Sequence, residues 1–265
     1  MGSAGRRTSD WARFCWPWRR FGPKGCGDEG PGGIRAVLRT ALAQALKWQL
    51  VAWNVAVLVD LPRASRPQFR VLEPKGAREL LKVAADHRLG PLFSVALAVG
   101  LRLGESLGLA WDDVDLSTRT LRVRRALQRF DGKLHFVEPK SESSNRSVAL
   151  PESAVVVLGR HTVRQQTERL LAGQRWRDTG LVFTTTIGTP LDDRNVRKAF
   201  RELLDAAELP PMRIHDLRHT CTSLLLAQGV HSRVVMETLD TYSHVMPTLE
   251  RNAADRMDAV LTGSG

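Results

Sequence analysis

The stretch from Ile214 to Val245, I-H-D-L-R-H-T-C-T-S-L-L-L-A-Q-G-V-H-S-R-V-V-M-E-T-L-D-T-Y-S-H-V, constrains the fold more than any other in the chain. On a helical wheel Leu217, Cys221, Leu224 and Leu225 share one face. His215, Arg218 and Thr222 share the opposite face, with Leu226 as the one apolar intruder. Gly229 sits where a C-terminal cap belongs. Such a helix lays one stripe on a core and aims an imidazole and a guanidinium the other way. That pair suits a phosphate, although a solvated polar face accounts for H-x-x-R as well. His215 and His219 stand at metal-ligand spacing, but no H-E-x-x-H pattern supplies a third ligand, so no metal is expected. The stretch closes near Tyr242, the only tyrosine in 265 residues.

Charge points to the kind of partner. Lys and Arg outnumber Asp and Glu by 39 to 28, a net charge of +11. An anionic partner is favoured, nucleic acid above all, though a basic surface also serves solubility. The length permits one large domain or two smaller ones. Cys15, Cys26 and Cys221 form no C-x-x-C pair, which fits a reducing cytoplasm. The run from Leu46 to Leu61 is broken by Lys47, Gln49, Asn54 and Asp60 and falls short of the roughly 18 apolar residues of a membrane span. The N-terminus has arginines but no continuous apolar region, so no secretory signal and no membrane partner are expected.

Residues 1–33 carry Trp11, Trp16 and Trp18 among Arg, Gly and Pro with no sustained period, and read as disordered. From Ile34, the residues Val37, Leu38, Ala41, Leu42, Ala45 and Leu46 repeat at helical spacing, and a short apolar segment follows from Val51 to Leu61. So small an amphipathic unit cannot bury its stripe alone. Pro62 to Pro67 reads as a linker. The next domain starts near Phe69, with a helix from Pro74 through His87 and a buried apolar helix from Pro91 to Gly100. Arg102 directly follows that helix, with Glu105 three residues on; the pair reads as a structural ion pair or an anion clamp.

Residues 119–150 change to a strand period. Leu121 to Leu127 suggests one strand, Phe130-Asp131-Gly132 a turn, and Leu134 to Val137 the return. The polar turn P-K-S-E-S-S-N-R then leads to a third strand, with Lys140 at its start, where a solvated hairpin lysine is the ordinary reading. Helices are expected at 152–172 and 192–208, separated by a strand from Leu181 to Thr185. The stripe Leu249, Ala253, Met257, Val260 and Leu261 gives the C-terminal segment a helix that either docks on a neighbouring copy or folds back on its own core. The expected fold class is mainly α with a small antiparallel β-sheet, α+β overall.

Taken together, G-L-R-L-G-E-S-L-G-L-A-W-D-D-V-D-L, the Pro139-Lys140 hairpin, H-D-L-R-H-T, L-L-L-A-Q-G-V and D-T-Y-S-H-V resemble, in order, the motifs of the tyrosine recombinases, and the chain looks like a phage-type integrase from Ile34 to Leu261. The resemblance implies transesterification of a DNA phosphodiester through a 3′-phosphotyrosyl intermediate, without metal or cofactor. It implies Tyr242 as nucleophile, Arg102 and Arg218 on the phosphate oxygens, Lys140 as general acid, His215 in proton transfer and phosphate contact, and Glu105 in support. It also implies a double-stranded attachment site as partner, and self-association on DNA as a tetramer. Three regions follow: a non-family segment at 1–33, a partial helical core-binding domain with linker at 34–66, and a catalytic domain at 67–265.

Two departures set this chain apart from the family pattern. Only the last part of the core-binding domain is recognisable. The family also reads about V-V-M-E-x-L-G-H before its D-T-Y-S-H, whereas this chain runs V-V-M-E-T-L-D-T-Y-S-H from Val234 to His244 with no L-G-H segment. Residues 232–246 can then run as one helix opened by Ser232, with Tyr242 in the middle of its apolar stripe. Impaired strand exchange is the expectation, with a DNA-binding protein derived from an integrase, or a decayed gene product, as the alternatives.

Overall fold

The computed structural model describes residues 30–60, 70–130, 132–137, 146–239 and 247–263. The chain divides into two compact units between Gln68 and Phe69. In the first, helix α1 spans Gly30–Lys47, starting within the segment expected to lack structure, and a 3-10 turn covers Val55–Val57. Side chains tie the two together. Arg35 donates from Nε to the Ala56 carbonyl (3.0 Å) and from Nη2 to that of Val57 (3.1 Å), and Asn54 Nδ2 donates to the Arg39 carbonyl (2.8 Å). The apolar stripe stays open: Val37, Trp48, Leu50 and Trp53 are each more than 60% exposed.

The second unit is built around two helices. Helix α2 (Pro74–Ala84) has Pro74 in its first turn and buries Ala77, Leu80 and Ala84 at helical spacing. It stops short of the expected His87, because the His87 ring accepts the Leu89 N–H at 3.0 Å and the chain bends sharply into Gly90. A Cβ at Gly90 would lie 1.8 Å from the Ala84 carbonyl oxygen, so this bend requires glycine. Helix α3 (Gly90–Val99) is apolar around its whole circumference and sits in the core, Phe93 meeting Phe200 with ring centroids 5.3 Å apart. It ends at Gly100 in the left-handed conformation (φ 70°).

After the short helix α4 (Leu103–Gly108) come strands β1 (Val114–Asp115), β2 (Thr120–Val123), β3 (Ala126–Phe130), β4 (Lys133–Val137) and β5 (Arg146–Ala149). All pair antiparallel, but in two sheets rather than one, ordered β1-β2-β5 and β3-β4. The break falls at Arg124-Arg125. Arg124 Nε binds the buried Asp113 carboxylate, and Arg125 Nε donates to the Gly108 carbonyl at 3.1 Å. These anchors turn the chain out of the first sheet, so β3 packs on α4 and the third strand pairs with β2.

Helices α5 (Glu152–Ala172), α6 (Asp193–Ala206), α7 (Ile214–Ala227), α8 (Ser232–Leu239) and α9 (Pro247–Thr262) complete the unit. The strand expected at Leu181–Thr185 is reduced to isolated bridges, Ala110 with Leu181 and Thr184 with Pro190. Side chains of α5 take the place of a strand partner. Gln165 Nε2 donates to the carbonyls of Leu181 (3.1 Å) and Val182 (3.0 Å), and His161 Nε2 reaches that of Val182 at 2.8 Å. Helix α9 folds back on its own unit, burying Ala253, Met257, Val260 and Leu261 against α2, α3, α5, α7 and β5, with Leu249 left half exposed. Polar contacts fix it there: Asp258 accepts the Ser153 N–H (2.8 Å), and Arg251 Nη2 donates to the Thr118 carbonyl (2.7 Å). Among the described residues no helix is long and apolar enough to cross a membrane.

Candidate functional site

Arg102 stands at the N-cap of α4 with extended backbone (φ −69°, ψ 149°). Its N–H donates to Glu105 Oε2 and its Nη1 to Glu105 Oε1, both at 3.0 Å, so the acid at the third helical position fixes the arginine backbone and side chain together. Arg146, 4% exposed at the start of β5, grips the same carboxylate from the other side at 3.2 and 2.7 Å. Burial works to raise the Glu105 pKa, but hydrogen bonds and charge from Arg146, joined by Arg102, overcome it and hold the carboxyl below its ordinary value. Arg146 was not singled out in the sequence. Its signal is there: it occupies an inward position two residues before the buried Val148 in an apolar strand, where a charge needs a buried partner.

The start of α7 repeats this construction. Asp216, 4% exposed, accepts the N–H of the N-cap Arg213 at 2.9 Å and its Nη2 at 3.0 Å. As expected, Leu217, Cys221, Leu224 and Leu225 form the buried face, and Gly229 takes the left-handed conformation after the helix (φ 73°). Arg218 departs from the simple wheel. It is only 7% exposed, because the end of α8 covers it. Its Nη1 donates to the Gly100 carbonyl at 2.7 Å and its Nη2 to the Leu239 carbonyl at 2.6 Å. A side chain on Gly100 would strike Leu239 Cδ2 at 2.2 Å, so glycine there is what lets α3, α7 and α8 meet. Arg102 follows Gly100 by two residues. The two sequence-expected arginines are therefore delivered to the same end of α3.

His215 is exposed, one turn before Arg218, and its ring stands edge-on to His219 with centroids 5.0 Å apart. Partial burial lowers its pKa from the usual 6.5, and repulsion from His219, Arg218 and Arg213 lowers it further. Asp216 acts the other way on the same ring. Cys221, on the buried face, has its thiol pushed up to about 12 by burial and is inert at neutral pH. Among the described residues no group of three or more His, Cys, Asp or Glu side chains could hold a metal ion. Lys140 and Tyr242 lie outside the described residues, as do the linker and the segment 1–29.

The phage integrase family model matches residues 70–246, two thirds of the chain. This chain belongs to the phage integrase family. The integrase of Saccharopolyspora erythraea is 28% identical over 291 residues, covering 87% of this chain and 67% of that protein. A XerC-like tyrosine recombinase of Caldanaerobacter subterraneus subsp. tengcongensis is 34% identical over 207 residues, 70% of this chain and 52% of the relative. The Streptomyces ambofaciens integrase is 33% identical over 214 residues, 74% and 53% of the two chains. The chain thus spans about half to two thirds of the length of these relatives. The integrase fold recurs in solved structures: the Tn1549 transposon integrase in complex with transposon right end DNA superposes with TM-score 0.69 at 20% identity, covering 96% of this chain and 83% of that one. Lambda integrase bound to DNA gives 0.53 at 18% identity, covering 97% and 83%.

Proposed function

We propose that this integrase-family chain cleaves and rejoins duplex DNA, with Arg102 and Arg218 seating the scissile phosphate and Tyr242 attacking it. The observation that carries the reading is the delivery of Arg102 and Arg218 to one end of α3, Arg102 held by Glu105 and Arg218 by the Gly100 and Leu239 carbonyls, with the His215 imidazole one turn before Arg218. The tyrosine oxygen forms a bond to phosphorus as the 5′ oxygen leaves. The phenolic proton passes to His215 or water, and Lys140 returns a proton to the leaving oxygen. Two guanidiniums neutralise the oxygens that gain charge and never lose their own protons. In this reading residues 67–265 are the catalytic domain, 34–66 part of a core-binding domain that adds DNA contacts, and 1–33 a segment outside the family pattern. The chain works in the cytoplasm and self-associates on its attachment site.

A second reading, DNA binding without efficient chemistry, has its own support. The chain lacks the family's L-G-H segment, and the Leu239 carbonyl, three residues before Tyr242, is bound to Arg218. A misplacement of about 1 Å at a reacting centre can cost some hundredfold in rate. The two readings separate on a labelled, nicked attachment-site DNA. A denaturation-resistant protein–DNA adduct, lost on Tyr242→Phe and on Arg102→Ala, supports cleavage. Salt-sensitive binding with no adduct supports the second.

A further inference from the structure

The Glu105 carboxylate is divided evenly between two arginines. Oε1 accepts from Arg102 Nη1 at 3.0 Å and from Arg146 Nη1 at 3.2 Å. Oε2 accepts from the Arg102 backbone N–H at 3.0 Å and from Arg146 Nη2 at 2.7 Å. Each oxygen therefore carries one bond to each arginine. The Arg146 side chain is buried, whereas that of Arg102 reaches solvent.

The planar fork of Arg146 meets the planar carboxylate with two parallel bonds, which fixes the rotation of the carboxylate as well as its position. That rotation decides whether Oε1 faces the Arg102 guanidinium while Oε2 faces the Arg102 backbone. Arg146 is itself pinned, because it pairs with Val123 across the β2–β5 ladder. The sheet, rather than helix α4, is thus the outer anchor of the chain of contacts. Burial alone would drive Glu105 towards its neutral form, which grips a guanidinium less well; the bonds and charge of Arg146 are the largest influence against it.

We propose that Arg146 is a positioning residue for phosphate binding, a role that rests on the reading of Arg102 as a phosphate ligand. Acting through Glu105, it holds the Arg102 guanidinium at the angle from which it meets a phosphate oxygen. A second fork in the same unit supplies the contrast. Arg88 binds Glu168 of α5 at 2.8 and 2.7 Å, and that carboxylate holds no candidate site residue.

The test is an NMR titration of the full chain with inorganic phosphate at constant ionic strength, read at the Arg102 Nε–H signal, with hydrogen exchange of the Arg102 backbone amide beside it. Arg146→Lys keeps the charge but replaces the fork by a point contact. It is expected to weaken phosphate at Arg102 about tenfold and to speed exchange of the Arg102 amide about tenfold, while the amides of α3 keep their protection. Arg88→Lys opens the other fork and is expected to leave both readings as in the parent chain. Glu105→Gln removes the carboxylate but keeps both arginines, and it is expected to match Arg146→Lys at Arg102 whether or not the lysine variant folds. Parent-like phosphate affinity at Arg102 in Arg146→Lys or in Glu105→Gln overturns the positioning role and leaves Arg102 standing as a phosphate ligand. An equal loss in Arg88→Lys also overturns it, since general loosening then accounts for the effect. No saturable phosphate shift at Arg102 in the parent chain overturns both readings.

Discussion

Glu105 joins two arginines of different standing: Arg102, whose side chain is 45% exposed, and Arg146, which is buried. Removing Arg146 strands a buried carboxylate, so Arg146→Ala is expected to lower unfolding free energy by about 3–5 kcal/mol in urea titrations. Acid provides a second handle. The Glu105 pKa is lowered on folding, so its stabilising contribution is present above the ordinary carboxylate value of 4.5 and is lost as pH falls through the folded pKa. Arg146→Ala should therefore flatten the acid limb of the stability curve. His215 answers to the ligand instead: partial burial and then its cationic neighbours depress its pKa, and a phosphate seated beside it should raise it, which NMR titration with and without duplex DNA measures. The sequence singled out Arg102, Glu105, His215 and Arg218 because each stands in a local motif. Arg146 was not singled out, because the partner that explains it lies far away in the chain, and only the folded register of β5 brings the two together.

At the scale of elements, the helices were legible and the connections less so. Amphipathic periods gave α2, α5, α6, α7 and α9 within a few residues, because a buried stripe is written directly in the sequence. The sheet was misjudged as one because Arg124 and Arg125 redirect the chain through contacts to Asp113 and Gly108 that no strand period records. The 181–185 segment lost its strand because side chains on α5 satisfy its carbonyls. Helix α9 had two possible docking surfaces in sequence; its polar contacts to Ser153 and Thr118 accompany the cis arrangement. Met257, 1% exposed at the centre of that interface, tests its weight: Met257→Ala should cost about 2–5 kcal/mol by thermal or urea unfolding. Gly100→Ala should destabilise as well, since the new methyl meets Leu239 and the φ of 70° disfavours it.

For the whole molecule, family membership and fold agree. Arg102 and Arg218 reach the same end of α3, and the sequence departs from the family pattern just after Leu239, whose carbonyl engages Arg218. On the proposed function, the exposed Arg102 meets the phosphate, Arg218 does so once freed from the Leu239 carbonyl, and Tyr242 reaches the phosphate inefficiently. The unit at 30–60, with Trp48, Leu50 and Trp53 exposed, adds little core of its own. With a net charge of +11, DNA affinity should fall steeply with salt. The most direct measurement is covalent trapping on one nicked attachment-site DNA, comparing this chain with a variant carrying the L-G-H segment restored between Glu237 and Asp240. The account predicts a Tyr242-dependent adduct that accumulates faster in the restored variant by a hundredfold or so. Equal rates would contradict the claim of an impaired nucleophile segment, and no adduct from either chain on DNA that both bind would contradict the phosphate site itself.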